Sequence, residues 1–348
     1  MNMESITLPQ LNDILVQIFA LSFASFVLGM LLTPVYTYLA YRYRFWKRQR
    51  TTSTTGEELT VFTKLHAKKF RRNIPTMAGT IMLVVVTFIT LVANLDRQQT
   101  WLPLLAFVGG GAVGLLDDII NIRGLGGGVS GLRSSLKFIM IAAIAAIAAW
   151  FFYTKLGYTS VHVPFYGDWT IGWLIVPLFI LVVVSTGNAV NISDGLDGLA
   201  GGLLASAYAT FGAIALLQGN FGIAAFCFTV CGALLSYIWF NIYPARFFMG
   251  DVGSFSLGTA LGVVAMLTDT LFLLPIIGIM FVIEAGSSSL QILSKRLFKR
   301  KIFISAPVHH HFEALGWPET KVTMRFWVIG NVAAVLGLLI AVAGGSIR

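Results

Sequence analysis

Five aspartates and three histidines stand out in an otherwise apolar chain. Asp117 and Asp118 are adjacent in GLLDDII, Asp194 and Asp197 lie three apart in NAVNISDGLDGLAGG, and Asp251 follows a glycine in NIYPARFFMGDVGS. His309, His310 and His311 are consecutive in APVHHHFEALGW. Carboxylates are hard donors, and magnesium takes few of them, keeping waters and leaving room for substrate phosphates. Converging aspartates therefore suit a divalent cation and a phosphorylated substrate. Consecutive side chains do not share a helix face, so the three histidines cannot all ligate one ion equally. They suit a polar wall instead, because imidazole accepts or donates and imidazolium pairs with phosphate. If helical, Asp194 and Asp197 share a face about one turn apart. Phe247 and Phe248 precede Met249-Gly250-Asp251, and an aromatic in that place can stack on a nucleobase. For Phe247, packing is the simpler reading. Each motif also has a plain explanation, such as a solvated helix end or a cap and turn. Taken singly, those explanations hold; the placement of the motifs decides against them.

That placement follows from the elements between the motifs. The 348 residues are 57% hydrophobic and 11% charged, with mean hydropathy +0.81; soluble domains carry about 25% charged residues. Uncharged runs cover 14–41, 73–95, 98–116, 138–154, 169–193, 198–245, 252–268, 270–283 and 326–347. A crossing needs about 17 to 25 mostly apolar residues. The run 198–245 is long enough for two, with a turn at Gln218-Gly219-Asn220, and 270–283 continues past Glu284 to Leu293. The expectation is an all-α polytopic membrane protein of about ten transmembrane helices in a single domain, 1–348. The runs lack the alternation of a membrane barrel. No cleavable signal is expected: the first run is too long, and Glu4 and Asp13 stand before it. Cys227 and Cys231 are read as small packing residues within a span.

Ten spans sort the loops into two sets. Residues 42–72, 117–137, 188–198, 241–252 and 295–325 carry 21 of the 24 Lys and Arg; Arg97, Lys155 and Arg348 fall on the other side. Short loops rich in Lys and Arg stay cytoplasmic, so both termini are expected outside the cytosol. The net charge of +9 is then mainly a topology signal, and Arg42, Arg44, Lys47, Arg48 and Arg50 can attract anionic headgroups. Nucleic acid is excluded as a partner because there is no soluble basic domain. All four polar motifs fall in the cytoplasmic set. Carboxylates beside hydrocarbon are costly, and five of the 15 acidic residues converging there call for a compensating cation, Mg2+.

DDIINIRGLGGGVSGLRSSLKF, NAVNISDGLDGLAGG, NIYPARFFMGDVGS and APVHHHFEALGWPETKVTMRFW resemble the phospho-N-acetylmuramoyl-pentapeptide transferase branch of the polyprenyl-phosphate N-acetylhexosamine-1-phosphate transferases. The likeness runs from about Pro75 to the last span. The histidine block with GWPETKVTMRFW marks the branch, while the aspartate motifs mark the superfamily. The resemblance implies a ten-helix, usually dimeric enzyme with a cytoplasmic groove. It implies transfer of phospho-MurNAc-pentapeptide from UDP-MurNAc-pentapeptide to undecaprenyl phosphate, giving lipid I and UMP with magnesium. By motif match Asp251 holds magnesium, and Asp117, Asp118 and His310 join it as catalytic residues. Thr76, Lys137, Asn191, Asp194, Asp197, Asn241, Phe248, His309 and His311 contact substrate. The chain departs from the family pattern at Asn121 and Arg71, where lysine is usual, and in IPTMAG, Ile74 to Gly79, where TPTMGG is usual.

The implied chemistry is physically coherent. A lipid phosphate is largely dianionic at neutral pH, so the nucleophile needs little deprotonation and the barrier is repulsion and alignment. Direct in-line attack, with Asp117 orienting the phosphate or taking a residual proton, is the first expectation; a phospho-aspartate intermediate is the alternative. A secondary transporter would place its carboxylates near the midplane and in repeated halves. Here they cluster at one edge; Glu284 is the exception, interrupting the ninth run as a broken helix would be interrupted. A divalent-metal channel would need a polar path through both leaflets.

Overall fold

The computed structural model describes residues 7–46, 73–96, 98–125 and 131–347. Arg71, Arg97, Arg348 and the basic residues Lys47, Arg48 and Arg50 lie outside them. Twelve α-helices and one hairpin make up the described chain. They are α1 (Leu8–Arg42), α2 (Gly79–Ala93), α3 (Trp101–Arg123), α4 (Ser134–Thr154), β1 (Ser160–Val163), β2 (Gly167–Thr170), α5 (Ile175–Ser193), α6 (Leu199–Leu217), α7 (Phe221–Asn241), α8 (Gly250–Leu267), α9 (Leu274–Ile277), α10 (Ile279–Phe298), α11 (Val308–Ala314) and α12 (Glu319–Ala343). Eight of these are long and apolar enough to cross a membrane, nine if the pair 271–277 and 279–298, bent by 81°, is one broken span. The protein is thus a polytopic helical membrane protein. With the broken pair counted once, α2 is a tenth apolar helix among the described residues, and a short one: its 15 residues rise about 22 Å against a hydrocarbon core of about 30 Å. A small antiparallel hairpin, β1–β2, lies between α4 and α5.

The shortening of α2 has a cause. Asn73 to Ala78 is irregular rather than helical, and its backbone bonds elsewhere. Thr76 N–H donates to Phe45 O (2.7 Å), Phe248 N–H to Pro75 O (2.8 Å) and Ala78 N–H to Phe248 O (3.0 Å). Irregular backbone is tolerated at membrane depth only where protein satisfies it, and Ile74, Thr76, Met77 and Ala78 are buried. The break in the ninth span falls at Gly278, not at Glu284, which lies inside α10.

Helix α8 is the centre: all 18 of its residues are buried. It packs against α3 and α5 most extensively, and against α2 at one end. Small residues let these backbones approach, as membrane helix packing requires. A Cβ at Gly114 would lie 2.1 Å from Asp251 O, and one at Gly258 would lie 2.8 Å from Gly187 Cα. Thr259 Oγ1 donates across to Ala106 O of α3 at 2.8 Å. Cys227 and Cys231 are free and buried, as packing residues should be. Gln218 to Asn220 is indeed the turn between α6 and α7.

Candidate active site at one end of the bundle

The end of α3, the start of α4, the end of α5, the start of α8 and the segment 308–327 meet at one end of the bundle, as their hydrogen bonds record. Asp117, near the end of α3, and Asp251, in the first turn of α8, converge on one cation. Lys137 Nζ lies 3.2 Å from Asp117 Oδ2 and 3.1 Å from Asp251 Oδ2. The other Asp117 oxygen accepts from Leu132 N–H. Gly131, at φ 99°, makes that approach possible, since a Cβ there would come 2.6 Å from Asp117 Oδ1. Left-handed backbone and the lack of space both call for glycine.

Asp118 is fully buried and turned to a different task. Its Oδ2 accepts from Val252 N–H at 3.1 Å, so a carboxylate of α3 caps the N-terminus of α8, where the helix dipole favours negative charge. Gly250, at φ 77°, sits in the same corner. A Cβ on it would lie 2.5 Å from Asp118 Oδ2, 2.8 Å from Met77 N and 3.0 Å from Thr76 Oγ1. Thr76 is thereby brought to Asp118, and its own carbonyl accepts from Tyr36 OH. Asn121, the departure from the family pattern, is buried on α3.

Asp194 and Asp197 do not share a helix face. Helix α5 ends at Ser193, with Asp194 as its C-cap at φ −81°, ψ 54°, because the glycines of DGLDG open the turn. Asp194 is half-buried, whereas Asp197 faces inward and its Oδ2 accepts from Ala245 N–H at 3.0 Å. Asn241 joins the same two loops, its Oδ1 accepting from Gly198 N–H (2.9 Å) and its Nδ2 donating to Phe247 O (2.9 Å). Asn191 Nδ2 donates to Ser254 Oγ of α8 at 2.9 Å. Phe247 is core, packed edge-on to Tyr36 at 5.5 Å between ring centres, while Phe248 stays half-buried.

The histidines form a short helix, α11, where a loop was expected. His309 Nδ1 pairs with Glu284 Oε2 at 2.8 Å, with both residues buried. His310 Nδ1 pairs with Glu313 Oε2 at 2.7 Å, and the two rings lie 4.1 Å apart. His311 differs: half-exposed, it accepts from Ile304 N–H at 3.2 Å. The ring of His309 lies on the aspartate loop, since a Cβ at Gly195 would be 2.3 Å from its Nε2. Glu284 is the site residue that sequence reasoning set aside. Its signal was a charge inside an apolar run.

Among the described residues no three His, Cys, Asp or Glu side chains form a ready metal cluster. Magnesium does not need one, because one or two carboxylates with waters and phosphates suffice. Asp117 and Asp251 already converge on a position held by the Lys137 ammonium, so the donor set fits a hard cation.

A buried polar end on a polytopic helical bundle, with carboxylates gathered around a helix N-terminus, suits a membrane-embedded transferase of phosphorylated groups. Residues 100–269 match the family model described as Glycosyl transferase family 4, a stretch that holds every aspartate of the site and ends before the histidines. The phospho-N-acetylmuramoyl-pentapeptide-transferase of Chloroflexus aggregans is 36% identical over 340 residues, covering 94% of this chain and 90% of the relative. That of Geobacillus kaustophilus is 38% identical over 331 residues, covering 91% and 96%. The chain belongs to the phospho-N-acetylmuramoyl-pentapeptide-transferase family.

Proposed function

We infer that this enzyme transfers phospho-MurNAc-pentapeptide from UDP-MurNAc-pentapeptide to undecaprenyl phosphate, producing lipid I and UMP for peptidoglycan synthesis. The observation that carries the site assignment is the convergence of Asp117 and Asp251 on one cation position. An oxygen of the lipid phosphate bonds to the sugar-side phosphorus, and the bond from that phosphorus to the oxygen of UMP breaks. Asp117 orients the incoming phosphate, and Lys137 offsets its charge. Asp251, with Asp117 facing it, would hold Mg2+, which when bound neutralises the diphosphate and the departing UMP. Asp118 caps the α8 N-terminus, and Thr76 lies beside Gly250 in the same corner, where it can meet substrate. Asp197 and Asn241 fix the loops that present Asp194 and Phe248 to the nucleotide. His309 and His310 offer directional hydrogen bonds to the donor, with His311 peripheral. Radiolabel from the UDP donor should move into butanol-extractable lipid with one UMP released per transfer. Label that stays in the aqueous phase would overturn the reading.

Glu284 fixes the tautomer and orientation of His309 through a hydrogen bond sequestered from solvent. Disturbing a buried hydrogen-bond partner costs about 1 to 3 kcal/mol, so Glu284→Gln is expected to lower transfer by about five- to a hundredfold. Initial rates check this, and an unchanged rate would make the pair purely structural.

The site faces the cytosol of the bacterial inner membrane in this account, with both termini outside. A cysteine at Ser305, in a chain lacking Cys227 and Cys231, should label in intact cells only with a permeant maleimide. Ready labelling by an impermeant one would reverse the orientation.

A further inference from the structure

The loop between α5 and α6 carries two of the site's aspartates, yet its backbone at Asp197 and Gly198 is held by side chains from elsewhere. Three of those side chains stand four residues apart on α12. Glu319 Oε1 accepts from Asp197 N–H at 2.6 Å. Thr323 Oγ1 donates to Asp197 O at 3.2 Å. Trp327 Nε1 donates to Gly198 O at 3.2 Å. The remaining group, Gly198 N–H, goes to Asn241. Buried backbone groups must find partners, and here a stripe on one face of a helix supplies them. Spacing by four keeps the three side chains on that face.

The stripe is built tightly. Thr323 is buried. The indole of Trp327 lies against α6, since a Cβ at Gly202 would be 2.1 Å from its Cε2. Gly198, at φ 76°, lies 3.5 Å from the same ring when a Cβ is placed on it. The polar atoms of Glu319, Thr323 and Trp327 bond the loop backbone at Asp197 and Gly198. Just beyond the gripped residues, Asp194 is half-buried and Gly195 exposed, with His309 packed on Gly195. The stripe therefore sets where the outward part of the loop stands. Segment 308–327 brings the histidines to that loop and clamps it from behind.

We propose that Glu319, Thr323 and Trp327 are positioning residues that fix the 194–198 loop for the nucleotide-linked donor and so govern donor affinity, not the transfer step. This deepens the proposed function and rests on it. Thr323→Val keeps the shape and removes the hydroxyl donor. Its expected effect is a rise of about five- to tenfold in KM for UDP-MurNAc-pentapeptide, the worth of one ordinary hydrogen bond. The kcat should stay within about twofold, and KM for undecaprenyl phosphate should not move. Thr323→Ser restores the hydroxyl and should restore KM. Trp327→Phe and Glu319→Gln should act in the same direction. Thermal midpoints of the solubilised variants are recorded alongside.

Unchanged donor KM in Thr323→Val and Trp327→Phe would overturn the proposal. So would a joint fall of kcat and thermal midpoint that Thr323→Ser fails to repair, since that is a purely structural role. Wild-type protein that releases no UMP from this donor would instead overturn the functional reading beneath it, and the stripe's part in donor binding with it.

Discussion

Asp251→Asn is expected to lower the rate of lipid I formation by about a hundred- to a thousandfold, the loss typical when one preorganised electrostatic group is removed from a reacting centre. The variant keeps the shape of the side chain and its place in the first turn of α8, where Gly250 and the Asp118 cap set the backbone. What it removes is the hard anionic oxygen facing Lys137. Magnesium dependence should flatten at the same time, because an amide is a poor substitute for a carboxylate ligand. Initial rates across a magnesium titration check both effects. Near-normal turnover at ordinary magnesium would show that Asp251 is no ligand.

Lys137→Met is the second large expectation, with transfer falling by about a hundredfold or more. The ammonium lies within 3.2 Å of both carboxylates, and its side chain is largely enclosed. Without it, Asp117 and Asp251 face each other uncompensated, and breaking a buried pair in this way costs about 3 to 5 kcal/mol. The phosphate also loses its nearest fixed positive charge. Lys137→Arg should recover little, since a planar fork does not fit where a compact ammonium bridges two oxygens. Rates for both variants, with folding checked by thermal unfolding, decide the matter. Full activity in Lys137→Met would remove Lys137 from the site.

Much of this was legible in the chain. Uncharged runs marked the spans because hydrocarbon excludes charge, and the Gln218–Asn220 turn was correctly read inside the longest run. The gathering of aspartates and histidines at one end followed from which loops share a side. What spacing does not reveal is which oxygen meets which cation. Lys137 and Asp251 are 114 residues apart, and only tertiary packing makes them neighbours. Asp194 and Asp197 would share a face only if helical, and glycines and inter-loop bonds outweigh helical continuation there. The run 73–95 does hold an apolar helix, but its first residues bond to Phe45 and Phe248 instead of joining it, a competition invisible to hydropathy. Glu284 looked like a break in a helix. It is instead the buried partner of His309, 25 residues away, and the chain bends six residues earlier at Gly278.

On the proposed function, a divalent cation and the donor's diphosphate meet between Asp117 and Asp251. Manganese is a spectroscopically and crystallographically visible stand-in for magnesium. Crystals of the protein grown with Mn2+ and UMP should show one anomalous peak at about 2.1 Å from an Asp251 carboxylate oxygen, on the side facing Asp117, and the peak should vanish in Asp251→Asn. A peak at the α11 histidines, or one at Asp251 that survives Asp251→Asn, would contradict it.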